Sequence, residues 1–110
     1  MTERTWAALV DPNRRALLDV LRERDSSVNE LVERLRLTQP QASKHLRVLR
    51  EAGLVRVRRD AQRRVYAVDP GPIAELDRWL APYRRLWNDS LDRLGEHLDR
   101  SAQTDPEKQT

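Results

Sequence analysis

The stretch TQPQASKHLRVLREAGLV, residues 38–55, carries the pattern from which the fold is predicted. Thr38 and Gln41 have the Thr-x-x-Gln spacing of a helix capping box, and Pro40 falls in the first turn, where its missing N–H costs little. Gly53 supplies a C-terminal stop. The apolar positions recur at helical spacing and comprise Ala42, Leu46 and Leu49. One side of this helix is therefore predicted to be buried, and a polar side is left over.

Three shorter helices are predicted before this one, from apolar residues that recur every three or four positions. Asp11 and Pro12 start the second of them, because Asp is a good N-cap and Pro suits the first turn. The third begins at one of two caps: Ser27, with Glu30 closing a capping box, or Asn29. The three helices are predicted over residues 5–10, 14–24 and 29–35, with a break over 25–27.

Two short runs of alternating apolar and basic residues follow and predict a β-hairpin, with strands over 54–59 and 63–68. Its alternation indicates one buried face and one solvated face. Tyr66 is expected to pack this hairpin onto the body of the protein. The fold class predicted from these elements is mainly α with a small β-hairpin.

A proline-containing break over 69–72 precedes a long helix, predicted over 73–98 from another stripe at three-and-four spacing. The polar residues that follow lack periodicity and are predicted to form a disordered tail over 101–110. A chain of 110 residues suits a single domain, which is expected over 1–100.

The composition indicates which partners the chain binds. Its net charge is +3, and residues 39–66 contain 8 Lys/Arg against 2 Asp/Glu, so a charge of +6 is concentrated in this segment. Such clustering is typical of a surface that binds a polyanion. There are no cysteines, which excludes disulfides and thiolate metal ligands. No apolar run is long enough to span a membrane and no signal-peptide pattern is present, so a cytoplasmic protein is expected.

A helix, a tight turn, a second helix with an uncovered polar face and a basic hairpin together predict a winged helix-turn-helix. The major groove admits one α-helix, whose outer side chains reach base edges. Gln pairs with adenine, Lys and Arg with guanine or phosphate, and a helix N-terminus attracts phosphate. Wing arginines are expected at the backbone or an adjacent minor groove. The predicted DNA contacts are Thr38, Gln39, Gln41, Ser43, Lys44, Arg47, Arg58, Arg59, Arg63 and Arg64.

The segment LTQPQASKHLRVLREAGLVRVRRDAQRRVYAVD, residues 37–69, resembles the recognition helix and wing of the ArsR family of bacterial winged-helix repressors. Upstream, ALVDPNRRALLDVLRER, residues 8–24, resembles that family's second helix and the segment leading into it. The resemblance implies a homodimer, formed by the first and last helices, that binds a partly palindromic operator and represses transcription. It also implies base-reading roles for Gln39, Ser43 and Lys44.

Two segments depart from the family pattern. Family wings turn through a Gly-Arg pair where Ala61-Gln62 stands here, which leaves the turn type open. Metal-sensing relatives carry a cysteine pair on the third helix, where this chain has Glu30-Leu31-Val32-Glu33. Some relatives bind zinc near the position of His97, but one histidine per chain is too few ligands. His45 is expected to pack or to contact backbone. Neither a metal nor a cofactor is predicted, and the inducer stays unknown.

The apolar stripe of the last helix is longer than a core of this size needs, and the first helix offers a second apolar ridge. Burial across a two-fold axis satisfies both, since an isologous interface pairs the same patch with itself. Trp79, Tyr83 and Trp87 are expected in such a dimer core, the alternative being a small-molecule site. The predicted interface consists of Trp6, Leu9, Val10, Leu76, Leu80, Tyr83, Trp87 and Leu94.

An enzyme is not expected, because the sequence has no Ser/His/Asp or Cys/His set and no glycine-rich phosphate loop. The main prediction is a sequence-specific DNA-binding transcriptional regulator, a repressor that binds a palindromic operator as a homodimer. One alternative is a repressor that responds to a metal or small ligand through a site on the last helix. Another is a winged-helix module that binds a protein, which the basic segment disfavours.

Overall fold

The computed structural model describes the backbone of residues 2–104 and the side chains through Arg100. Four helices precede a β-hairpin and a long last helix, as the sequence predicts, and a small three-stranded antiparallel sheet completes the winged helix-turn-helix. In chain order the elements are α1 (Glu3–Val10), α2 (Pro12–Glu23), β1 (Ser26–Ser27), α3 (Val28–Leu35), α4 (Gln39–Glu51), β2 (Val55–Asp60), β3 (Arg63–Val68) and α5 (Pro70–Thr104).

The chain divides into two compact units between Leu76 and Asp77, and the core lies in the first. The predicted stripe of α4 is fully buried, and Tyr66 packs into the same core with 8% of its surface exposed. Burial of each such leucine contributes about 1.5–3 kcal/mol. The largest fully buried side chains are Leu17, Leu31, Leu46, Leu49 and Leu54.

The helix starts follow the predicted capping chemistry. The Asp11 carboxylate accepts from the backbone N–H groups of Asn13 at 2.8 Å and Arg14 at 3.2 Å, which starts α2. Of the two caps that the sequence allows for α3, the structure uses Ser27, whose hydroxyl accepts from the Glu30 N–H at 3.3 Å. Helix α1 begins earlier than predicted, at Glu3, because Thr2 caps it.

The ends of α3 and α4 bring the chain round into the next elements. Arg36, with φ 56°, ends α3 in the left-handed region, which is uncommon for a residue with a Cβ. Gly53, with φ 76°, follows α4 as predicted, and the Leu54 N–H donates to the Leu49 carbonyl at 2.9 Å. That bond closes a Schellman motif, which turns the chain directly into β2.

The sheet contains one strand that the sequence analysis missed. Ser26 and Ser27 were predicted to be a break, but they form β1, which pairs with β3 opposite Tyr66 and Val65. Two residues are too few to show an alternating pattern, so only the tertiary partner makes this a strand. The predicted hairpin is confirmed, with Ala61 at φ 57° in its two-residue loop; a positive φ at only one loop position excludes a type I′ turn.

The last helix is longer at both ends than the predicted 73–98. It begins at Pro70, where the missing backbone N–H of proline costs little, because N–H groups in the first turn have no partner within the helix. The Asp69 carboxylate accepts from the Gly71 N–H at 3.0 Å and so caps this start. It continues through Pro82 to Thr104, so the first four residues of the predicted tail are helical, while residues 105–110 lie outside the described part. No helix in the described part of the chain has the length and hydropathy of a membrane span.

Candidate nucleic-acid interface

The outer face of α4 presents polar and cationic side chains together. Gln39, Ser43 and Arg47 are spaced four residues apart, so they lie along one line of the helix, and Lys44 lies beside them. All four are exposed, whereas the stripe of Ala42, Leu46 and Leu49 is fully buried. The structure thus brings together four of the six side chains predicted to contact DNA from this helix.

The other two predicted contacts, Thr38 and Gln41, are engaged in the helix start. The Gln41 carbonyl oxygen accepts from the Thr38 N–H at 2.9 Å, and the Thr38 hydroxyl accepts from the Gln41 N–H at 3.2 Å. A glutamine holds adenine through both its carbonyl and its amino group. Because its carbonyl oxygen is turned toward the Thr38 N–H, two-bond pairing of Gln41 with adenine competes with the cap. Its position in this capping box was predicted, but the conflict with base pairing was not.

The wing divides its four predicted arginines between two faces. Residues directly opposite each other in an antiparallel pair share a face, and successive residues alternate. Arg59 lies opposite Arg64 and on the face that carries Tyr66. Arg58 and Arg63 lie on the other face, because Arg58 opposes Val65 and Arg63 opposes Asp60.

The two faces differ in electrostatics. Arg58 lies 3.5 Å from the carboxylate of Asp25, and Arg63 lies 3.5 Å from those of both Glu30 and Asp60. Arg59 and Arg64 have no ion-pair partner among residues 2–100. Exposed pairs of this kind contribute little to stability, but they partly neutralise the charges of Arg58 and Arg63. Arg59 and Arg64 are therefore the wing arginines whose charge is available to a polyanion.

Glu30 takes part in the capping box of α3 and also forms an ion pair with Arg63 of the wing. Its pKa is held below the ordinary value, chiefly because the Ser27 backbone N–H donates to its carboxylate at 3.2 Å, with a smaller contribution from the Arg63 guanidinium. The carboxylate stays charged in neutral solution and pairs Arg63, which adjoins the loop of the wing, with the start of α3. No spacing rule connects residues 30 and 63, so this pair cannot be predicted from the sequence.

A cleft of about 300 Å³ lies between the wing and the starts of α3 and α4. It brings the amide side chains of Asn29, Gln39 and Gln62 to the same place as Arg64. Amides and guanidinium groups are the donors that commonly hold phosphate oxygens. Asn29 and Gln62 were not among the predicted contacts, because one was read only as a helix cap and the other only as part of a turn.

The residues predicted to form a dimer interface are largely exposed, each in its own unit. In the first unit, Trp6 is 41% and Val10 is 70% exposed, whereas Leu9 packs partly against the core. In the second, the rings of Trp79 and Tyr83 lie 4.8 Å apart, and Trp87 is 66% exposed. Leu76 and Leu80 are half-buried, while Tyr83 and Leu94 are exposed.

The histidines do not gather metal ligands. No group of three or more His, Asp or Glu side chains suited to a metal ion occurs among the described residues. His45 is half-buried in α4, with its Nδ1 3.5 Å from a guanidinium nitrogen of Arg14. His97 is exposed on α5.

The sequence of this chain matches both a known protein family and individual known proteins. Residues 11–57 match the model of the arsR family of bacterial regulatory proteins. The chain is 37% identical over 97 residues to the HTH-type transcriptional regulator Rv2034 of Mycobacterium tuberculosis, covering 88% of each protein.

Two solved structures are similar in fold as well as in sequence. A crystal structure of an ArsR family transcriptional regulator aligns with a TM-score of 0.68 and 30% identity, over 77% of this chain and 93% of that one. The transcriptional repressor BigR from Xylella fastidiosa aligns with a TM-score of 0.59 and 32% identity, over 73% of this chain and 82% of that one.

Proposed function

The chain belongs to the ArsR family of bacterial regulatory proteins, and on that premise we propose that it represses transcription by binding a palindromic operator as a homodimer. As a member of this family it is a DNA-binding transcriptional regulator and not an enzyme. The proposal adds the operator, the assembly and the contacting residues. The proposed place of action is the cytoplasm, where bacterial DNA lies.

The observation that carries the proposal is the division of α4 into a fully buried stripe and an exposed polar line. Gln39 is proposed to read adenine, and Lys44 to read guanine, with Ser43 and Arg47 on either a base edge or a phosphate. Such contacts specify the site, while phosphate contacts position the protein on it. Thr38 and Gln41 are proposed to hold the start of the helix in the groove.

The wing is proposed to supply phosphate contacts. The absence of an ion-pair partner for Arg59 and Arg64 among residues 2–100 supports a direct role for these two side chains. Arg58 and Arg63, which pair with Asp25, Glu30 and Asp60, are proposed to support the wing from its other face. Of the four wing arginines predicted to contact DNA, two are thus proposed to touch it and two to stabilise the hairpin.

The dimer is proposed from the exposed apolar side chains of α1 and α5. Large apolar groups such as Trp87, at 66% exposure, are favoured in an interface rather than in water. A two-fold assembly places two recognition helices about 34 Å apart, one turn of DNA. The proposed interface is the set named from the sequence: Trp6, Leu9, Val10, Leu76, Leu80, Tyr83, Trp87 and Leu94.

The experiment that tests this function is footprinting of the protein on the DNA upstream of its own gene. A duplex selected by the protein from a random-sequence pool gives an independent site. We expect protection of two half-sites whose centres are one helical turn, or a multiple of it, apart. Protection of a single half-site by a monomer, or retention of every duplex with equal affinity, would contradict the proposal.

A further inference from the structure

The side chain of Arg14 joins three helices. From its position in α2, its Nε donates to the Ala8 carbonyl at 2.8 Å and its Nη2 donates to the Ala7 carbonyl at 2.9 Å. These carbonyls belong to the last turn of α1, where carbonyl groups have no hydrogen-bond donor within their own helix. The remaining nitrogen, Nη1, lies 3.5 Å from Nδ1 of His45, in the middle of α4.

The neighbouring Arg15 makes only the first kind of contact. Its Nη1 donates to the carbonyls of Leu9 at 2.8 Å and Val10 at 2.9 Å, again at the end of α1. Among the described residues it forms no hydrogen bond with α4. Two adjacent arginines therefore hold the same helix end, and only Arg14 also reaches the recognition helix.

This contact indicates which nitrogen of the His45 ring carries the proton. A guanidinium group only donates hydrogen bonds, so the ring nitrogen that faces it must accept. A ring that accepts at Nδ1 is neutral and carries its proton on Nε2.

A directional contact is needed here because the rest of the α4 packing is apolar. The stripe of Ala42, Leu46 and Leu49 holds the helix through hydrophobic burial, which is not directional. A reading surface, in contrast, must be held within about 0.5 Å and 10–20° of its productive geometry. His45 directly follows Lys44 in the helix and, four residues before Leu49, lies at the edge of the stripe, where a polar contact opposes rotation about the helix axis.

We propose that Arg14 is a positioning residue that sets the rotation of the recognition helix through His45, with α1 as the fixed end. The inference rests on the proposed reading of bases by α4. It assigns Arg14 no contact with DNA. Loss of this contact should therefore reduce discrimination between sequences more than it reduces attraction to DNA as a polyanion.

The first test compares Arg14→Gln with Arg15→Gln, a control that removes the same charge next to the same helix end. Each variant is titrated with a duplex selected by the wild type from a random pool and with a scrambled duplex. We expect Arg14→Gln to lower the ratio of the two affinities about tenfold, and Arg15→Gln to leave it unchanged. Equal ratios in the two variants would overturn the inference, whereas failure of the wild type to select any duplex would overturn the proposed function.

The second test uses His45 and does not depend on the folding of Arg14→Gln. His45→Gln offers Arg14 a side-chain oxygen in place of the Nδ1 acceptor, whereas His45→Leu offers no acceptor, so only His45→Leu should lower the affinity ratio. Nitrogen NMR of the wild type should show the His45 proton on Nε2. Equal affinity ratios for the two His45 variants, or a ring protonated at Nδ1, would overturn the inference.

Where Arg14→Gln folds, a double-mutant cycle with His45→Leu completes the test. We expect the two changes together to lower the affinity ratio no more than the larger of them does alone, because both remove one contact. Losses that multiply would mean that the residues act independently, and that result would overturn the inference.

Discussion

Apolar residues recur at the same spacing in α4 and α5, but they are buried in α4 and largely exposed in α5. The stripe of α4 is fully buried by the rest of its own unit, whereas along α5 Trp87 is 66% and Leu98 is 58% exposed. The exposed surface of α4 is consequently polar, whereas that of α5 includes an apolar stripe. Periodicity tells which side of a helix is apolar, and the tertiary structure decides whether that side or the opposite one meets a partner.

The largest effect expected from this comparison is on folding. Leu46→Ala removes a fully buried side chain and should lower the free energy of unfolding by about 2–5 kcal/mol. Leu86→Ala, on a side chain that is 65% exposed in α5, should change it by less than about 0.5 kcal/mol. Chemical denaturation of the two variants measures the difference. Equal losses would mean that Leu86 is covered as fully as Leu46, although it lies outside the proposed interface.

The next effect concerns assembly. Trp87→Ala should lower dimer affinity by about 2 kcal/mol or more, as expected for a central aromatic anchor, and should weaken operator binding with it. Arg85→Ala, two residues away and also exposed, serves as the control. Analytical ultracentrifugation gives the answer. A wild-type chain that sediments as a monomer at micromolar concentration yet binds its operator tightly would rule out this role for α5.

The polar side of α4 is tested by Lys44→Ala. Loss of a base contact should cost about 1–3 kcal/mol on the selected duplex and relax the preference at one base position. Binding to scrambled DNA should weaken much less. An equal loss on selected and scrambled duplexes would assign Lys44 to a phosphate and remove it from the base-reading set.

The two faces of the wing extend the comparison to a single hairpin. Arg59→Ala with Arg64→Ala should flatten the plot of log affinity against log salt by about 0.9 for each lost phosphate contact, on every duplex. Arg58→Ala with Arg63→Ala removes the same charge from the ion-paired face and should change this slope less. Identical slopes for the two double variants would show that the ion pairs open when DNA binds.

The smallest effect expected is the pH dependence of Glu30. Because its pKa is lowered in the folded protein, its carboxylate stabilises the fold above the ordinary pKa, and this stabilisation is lost as the pH falls through the folded value. Glu30→Gln preserves the capping box without the charge. Thermal unfolding should become less dependent on pH in the acid range in this variant. An unchanged profile would mean that other carboxylates dominate acid unfolding.

Local signals accounted for much of the fold. The capping box at Thr38, the cap at Asp11, the stop at Gly53 and the alternating hairpin were all predicted, because each depends on residues a few positions apart. The missed features depend on contacts between distant segments. Strand β1 exists only through pairing with β3, and Arg63 meets Glu30 across 33 positions of sequence.

The sequence alone shows which side of each helix is apolar, that Asp11 and Thr38 cap α2 and α4, and that the positive charge is concentrated around α4 and the wing. Those properties follow from spacing, capping chemistry and composition, which act within a turn or two of the chain. The packing of distant segments decided that Arg59 and Arg64 are the wing arginines without ion pairs among the described residues, and that Arg14 reaches His45. A charge is made available or occupied by groups within a few ångströms of it, and the fold alone determines which distant residues those are.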